Sequence, residues 1–229
     1  MAIAENIEKT QAEITSFEQK YQRALGSVKL LAVSKTKPVS AIEEAYAQGQ
    51  RLFGENYVQE AADKSQQLTH LKGIEWHFIG PIQSNKTRIL AQSMHWVHTL
   101  ERAKIAQRLN EQRPADLPKL NVCIQINISG EESKSGISLA ELDELVEIVR
   151  NQPNLILRGL MAIPAPQVSL ADQLATYQPL YEAYHALAES VETVDTLSIG
   201  MSGDMEAAIA SGSSMVRIGT AIFGARNYA

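Results

Sequence analysis

Cysteine is nearly absent. The 229 residues hold one, Cys123, so no internal disulfide can form, and the apolar run 121–128 around it predicts a buried thiol. An excess of positive charge is missing too. With 21 Lys and Arg against 26 Asp and Glu the net charge is −5, which argues against the basic stripe that a nucleic-acid partner needs. Like charges never run to five in a row, and Lys and Arg are scattered among acids as on a solvated surface. No stretch approaches the ~18 apolar residues of a membrane span. Residues 1–9 carry acids and lack the apolar centre of a secretory signal, so the expected location is cytoplasmic, with no membrane partner.

Linkers, low-complexity tracts and abrupt composition shifts are also lacking, which predicts one domain over 1–229. What is present is a recurrence of short apolar runs separated by longer amphipathic segments, the pattern of βα units in a parallel sheet. An extra amino-terminal helix is expected within 1–25, with Ile7, Ile14, Phe17, Tyr21 and Leu25 on one face. Strands are expected over 28–34, 52–54, 75–80, 95–99, 120–128, 155–162, 196–201 and 215–218. Helices are expected over 41–48, 56–67, 83–91, 101–112, 138–151, 168–190 and 203–212, the first of them capped by Ser40 after Pro38 ends the strand. Eight strands with intervening helices predict a closed (β/α)₈ TIM barrel of the α/β class. An open doubly wound sheet is the alternative, and its glycine fingerprint is missing, since Gly219 and Gly224 have no third glycine in register.

Barrel sites lie at the carboxyl ends of the strands. The first strand ends in Leu31-Ala32-Val33-Ser34-Lys35-Thr36-Lys37-Pro38. A lysine at the tip of an apolar strand is desolvated, which leaves more neutral amine to attack a carbonyl. Alternation puts Lys35 and Lys37 on the same face. Lys37 precedes Pro38 and is biased to extended backbone outside the ladder, so Lys35 is the deeper of the two. A lysine that merely snorkels from a strand end is the plainer alternative.

The seventh strand runs into Gly200-Met201-Ser202-Gly203-Asp204 and the eighth into Arg217-Ile218-Gly219-Thr220. Loops after these two strands bind phosphate in many barrels. Glycine lets the backbone approach, while Ser202 and Thr220 offer hydroxyl donors. Both loops, opposite a strand-end lysine, point to a phosphorylated ligand that carries an aldehyde. Arg217 shares a face with Met215 and Gly219, and is read either as a charge against the ligand ring or as an inward arginine neutralised by a carboxylate such as Glu55. His95 and His98, three apart on a strand, fall on opposite faces and predict no shared metal site. Glu131, Glu132 and Lys134 read as a solvent-facing loop, and no Gly-x-Ser-x-Gly motif occurs.

Six segments resemble one family throughout the chain and in its order. They are Ala32 to Pro38, Phe53-Gly54-Glu55-Asn56-Tyr57, Trp76 to Lys86, Leu160-Met161, Ser198 to Ser202, and Val216 to Gly224. Together they resemble the YggS/PROSC family, the pyridoxal phosphate homeostasis proteins. The resemblance implies a PLP fold-type III barrel, shared with the amino-terminal domain of alanine racemase, with pyridoxal 5′-phosphate as cofactor and Lys35 as its Schiff-base lysine. It implies Ser202, Gly219 and Thr220 at the phosphate and Arg217 near the pyridine ring. It also places Asn56, His77 and Met161 in loops around the cofactor, although His77 beside Trp76 reads equally well as a core histidine. Gly203 departs from the small or acidic residue that relatives often carry there.

Two classes of function suit such a barrel. One is a protein of vitamin B6 balance that binds, shields and delivers or senses the cofactor, with apo-enzymes or regulatory proteins as partners and no catalytic residues. The other is a racemase or decarboxylase of the alanine racemase type. A racemase needs a second domain to supply a base, for which no residues are expected after 224, and an arginine at the ring nitrogen disfavours its protonation and weakens the electron sink. A class I aldolase is a third reading, without a motif-bearing acid–base pair to support it. Amphipathic helices with charged outer faces suggest a monomer.

Overall fold

A computed structural model describes residues 2–225; residue 1 and residues 226–229 of the expected domain, which include its carboxyl end, lie outside the described residues. Helix α1 (Ile3–Lys20) leads into β1 (Lys29–Val33), α2 (Val39–Ala47), β2 (Leu52–Glu55), α3 (Val58–Gln67), β3 (Glu75–Phe78) and α4 (Thr87–Ser93). Then follow β4 (Trp96–Leu100), α5 (Ala103–Gln112), β5 (Leu120–Gln125), α6 (Leu142–Arg150), β6 (Leu155–Met161) and α7 (Leu170–Ser190). The chain closes with β7 (Thr196–Ser198), α8 (Met205–Ala210), β8 (Met215–Ile218) and α9 (Thr220–Phe223). All strands are parallel, each pairs with the next, and β8 returns to β1, with Leu31 opposite Arg217. The expected (β/α)₈ barrel is therefore the fold.

Strand alternation divides the apolar residues between two layers. Leu30 and Ala32 face outward into the large core between strands and helices, with Phe53, Phe78, Val97 and Leu160. Leu31 faces inward and meets Ile79 and Met215. A third cluster, also inside, joins Trp96, Cys123 and Met161. Each fully buried side chain of this size contributes about 1.5–3 kcal/mol. Among the described residues no helix is long and apolar enough to cross a membrane.

At one place the ladder demands glycine. Gly159 has φ 156°, and a Cβ there would stand 1.6 Å from the carbonyl oxygen of Thr196 on β7. The register between β5 and β6 shifts beside it, between Val122 and Cys123.

Several expected boundaries move. The first helix stops at Lys20, because Gln22 adopts φ 55° and the Arg23 N–H turns back to the Glu18 carbonyl at 2.7 Å. Leu25 is consequently 65% exposed instead of sharing the buried face of Ile7 and Ile14. Ser40 is no cap: Pro38 occupies that position and the helix begins at Val39. The seventh strand ends at Ser198, since Gly200 turns the chain at φ 105°. The fifth ends at Gln125, with an isolated bridge from Ile126 to Ile137 beyond it. Helix α9, a single short turn after the eighth strand, was not anticipated.

Candidate functional site

The β1 strand delivers its inward face to the top of the barrel and stops at Val33. Beyond it the chain turns tightly, with the Lys37 N–H donating to the Ser34 carbonyl at 3.1 Å and Thr36 held left-handed at φ 64°. A non-glycine residue rarely adopts that conformation unless its surroundings hold it. Here α3 does so. Glu60 accepts the Thr36 N–H at 2.6 Å, and the buried Lys64 ammonium donates to the Ser34 carbonyl at 2.8 Å. The same ammonium meets Glu60 at 2.7 Å and Glu55, wholly buried at the end of β2, at 2.5 Å. Burial outweighs the attraction of Lys64 and lifts the Glu55 carboxyl to about 7. The Lys35 turn is thus braced from below by a buried ion cluster.

Lys35, half-buried, lines a cavity of about 460 Å³ at the carboxyl end of the strands. Asn56, Ser202, Arg217, Gly219 and Thr220 line it as well, so six residues singled out from the sequence meet in one hollow. Lys37 also reaches it, with its ammonium donating to the Ala225 carbonyl at 2.8 Å. Val33, Ile79, Ile163 and Met201 supply an apolar wall that sequence reasoning had not singled out. Asn56 leads from β2 toward α3, and its Oδ1 is buried without a hydrogen-bond partner. The Ser202 loop is fixed by Asp204, which accepts the Met201 N–H at 2.8 Å and the Tyr177 hydroxyl on its other oxygen.

His77 and Met161 are placed otherwise than in loops. His77 lies within β3 and Met161 ends β6; both are wholly buried in the barrel interior, and neither lines the cavity. The His77 ring stacks on Trp96 at 5.0 Å.

Arg217 forms the cavity floor, 4% exposed. Glu55 is not its partner, because Lys64 engages that carboxylate from the outer layer. Instead the guanidinium donates to the Ser198 carbonyl at 2.7 Å, the Ser198 hydroxyl at 2.8 Å and the Ala162 carbonyl at 3.0 Å. Burial lowers its pKa, yet an arginine keeps its charge under ordinary conditions. Its hydrogen-bond acceptors are neutral, although the Asp204 carboxylate also acts on its charge. Below it, burial lowers the pKa of His77 and of His98 (the latter far below its ordinary value), so both rings are neutral. Cys123 beside them is buried as expected, its thiol pushed up to about 12 by burial. His95 stands just before β4 and is exposed, whereas His98 within β4 is buried.

Comparison with known proteins identifies the family and the fold. Residues 6–227 match the family described as alanine racemase, N-terminal domain. The pyridoxal phosphate homeostasis protein of Escherichia coli strain K12 is 57% identical over 228 residues, covering 99% of this chain and 97% of that protein. The protein of that name from Pseudomonas aeruginosa is 56% identical over 226 residues, covering 99% and 96%. Among solved structures, PipY of Synechococcus elongatus with PLP bound superposes at a TM-score of 0.83, with 32% identity over 97% of this chain and 100% of that one. An alanine racemase from Corynebacterium glutamicum shares the fold at a TM-score of 0.68 and 20% identity, with 60% of its length covered.

Proposed function

The chain belongs to the family of the pyridoxal phosphate homeostasis proteins, and from that premise we propose that it binds pyridoxal 5′-phosphate on Lys35 and holds it for intracellular supply or sensing. The observation that carries the reading is the cavity itself, which brings an amine, an arginine and two hydroxyl-bearing loops together. The residues fit the group. The volume suits a small ligand. Asn56 Oδ1 offers a buried acceptor that the protein leaves unmet, and the apolar wall suits an aromatic ring.

When bound, the group supplies an aldehyde that joins reversibly to amines. Lys35, which directly follows β1 and lines the cavity, provides the attaching nitrogen. Ser202, Gly219 and Thr220 receive the phosphate through hydroxyl and backbone donors. Asn56 and Arg217 orient the ring. Arginine has donors only, so it meets a ring nitrogen as an unprotonated acceptor, which suits holding the group better than using it for catalysis. His77 and Met161 support this floor from beneath without reaching the cavity. The protein then acts as a cytoplasmic, single-domain monomer that exchanges the cofactor with apo-enzymes or regulatory proteins.

The test is the absorbance of the purified protein with pyridoxal 5′-phosphate. A visible band should appear, borohydride should abolish it, and the added mass should map to Lys35. Label on Lys37, no label at all, or racemisation of an amino acid at about 1 s⁻¹ or faster would each overturn part of the reading: the first the choice of lysine, the second the attachment, the third the non-catalytic role.

A further inference from the structure

Beneath the cavity a line of polar groups crosses the barrel interior. The Arg217 guanidinium donates to Ser198 Oγ at 2.8 Å. Ser198 Oγ lies 2.8 Å from His98 Nδ1, and His98 Nε2 lies 2.8 Å from His77 Nδ1. His77 Nε2, buried and without a hydrogen bond of its own, lies 3.4 Å from a Glu75 carboxylate oxygen at the opposite end of the barrel. That oxygen also accepts the Trp96 indole N–H at 3.0 Å.

The two ends fix the direction of every proton between them. Arginine can only donate, so Ser198 Oγ accepts from it and has its own hydrogen to place; His98 Nδ1 is the acceptor within reach. A neutral His98 then carries its proton on Nε2 and donates to His77 Nδ1. That leaves the His77 proton on Nε2, facing Glu75. The reverse polarity would set a lone pair of His77 against a carboxylate, and would leave the Ser198 hydrogen without an acceptor among the described contacts. Both ends select the same order.

We propose that Ser198 and His98 are positioning residues for Arg217, and that the line Arg217–Ser198–His98–His77–Glu75 makes Glu75 a second, remote counter-charge of the buried guanidinium in addition to Asp204. Every hydrogen in the line points from Arg217 toward Glu75. Each dipole therefore turns its negative end to the cation and its positive end to the anion, in a low-dielectric interior where such alignment is strong. Asp204 also acts on the Arg217 charge, but the guanidinium's hydrogen bonds go to neutral acceptors, and the aligned line adds to its stabilisation from beneath. Among the described residues Glu75 is the acidic group in contact with His77. Lys29 acts on both Glu75 and His77, while Arg158 and Asp195 pair with each other and act on Cys123; His98 feels the charges of His77 and Arg217.

The role of Arg217 toward the cofactor rests on the function proposed above, whereas the proton order does not, and the experiment separates the two. Nitrogen-15 NMR of the histidine rings in the protein without added cofactor should show His77 and His98 both protonated on Nε2. A proton on Nδ1 of either ring would overturn the proton order. Ser198→Ala should release the order two links away, giving His77 a mixture of tautomers although the two residues do not touch; an unchanged His77 would show that no connected line exists. His98→Gln can accept from Ser198 and donate to His77, and should keep the His77 tautomer, whereas His98→Phe should lose it. Titration with pyridoxal 5′-phosphate supplies the functional arm. Ser198→Ala and His98→Phe should weaken binding roughly 3- to 10-fold, on the scale of one hydrogen bond to a charged group, with His98→Gln restoring most of it. The predicted tautomers with unaltered affinities would overturn the positioning role alone. Failure of the parent protein to bind the cofactor would instead overturn the proposed function. Should His98→Phe not fold, Ser198→Ala, the smallest truncation in the line, decides both arms.

Discussion

The buried ion cluster under the lysine turn makes a quantitative prediction for Glu55→Gln. The Glu55 carboxyl titrates near 4.5 in an unfolded chain and at about 7 in the native protein. Over that window the native state keeps a proton that the unfolded state has lost, so the stability contributed by neutral Glu55 is present below about 4.5 and drains away as pH rises through about 7. Linkage between these two values gives a loss of roughly 0.8 kcal/mol by pH 5 and roughly 3.3 kcal/mol by pH 8. Glutamine is nearly isosteric with the protonated acid and does not titrate, while Lys64 keeps Glu60 and the Ser34 carbonyl. The stability difference between Glu55→Gln and the parent should therefore move in favour of the variant by about 2.5 kcal/mol between pH 5 and pH 8. Urea unfolding of both proteins at the two pH values reads this directly, because effects common to both chains cancel. A difference that stays constant within about 0.5 kcal/mol, or moves the other way, would refute the claim that burial dominates Lys64 at this carboxylate.

Two further predictions concern the rim and the ladder. Ser202→Ala and Thr220→Val should each weaken pyridoxal 5′-phosphate by roughly 1–3 kcal/mol while leaving pyridoxal nearly unaffected; equal losses for both ligands in a binding titration would remove these hydroxyls from the phosphate. Gly159→Ala should lower the thermal midpoint steeply or abolish soluble expression, because its Cβ would meet the Thr196 carbonyl at 1.6 Å; a melting temperature within a few degrees of the parent would mean that the β6–β7 contact is not rigid.

The barrel and the mouth of its site were legible because both rest on local pattern. Apolar runs at regular intervals spelled eight strands, and a lysine, a Gly-Thr pair and a Met-Ser-Gly loop at strand ends lie at positions that a closed parallel barrel must bring together. What could not be read were pairings set by register. Glu55 was an example of a carboxylate that could neutralise an inward Arg217 in one of two readings, but strand parity sends Glu55 outward to Lys64 and Arg217 inward to Ser198. His77 was placed in a loop by the family resemblance although it fell within the strand expected over 75–80, and β3 keeps that ring inside the barrel. Ser198 and His98 carried a usable signal: each is a polar residue on the inward face of its strand, where a buried polar atom must find a partner. The helix ending at Lys20 depended on the single left-handed residue Gln22, for which glutamine gives no warning.

The seam between β8 and β1 also governs how the chain can reach its fold. The Arg23 guanidinium grips the carbonyls of Ile209 and Ser213, Lys20 pairs with Glu206, Asn6 holds the Ile222 carbonyl, and Lys37 holds that of Ala225. Every one of these contacts joins the first forty residues to the last twenty-five. During synthesis the leading helix and first strand therefore emerge long before their partners, and β1 presents an unpaired edge until β8 arrives. Closure of so long a loop makes late folding slow and the waiting edge a point of vulnerability. The residues proposed to receive the phosphate, Gly219 and Thr220, follow the last-made strand of the barrel, so a growing chain lacks that part of the cavity until β8 has emerged.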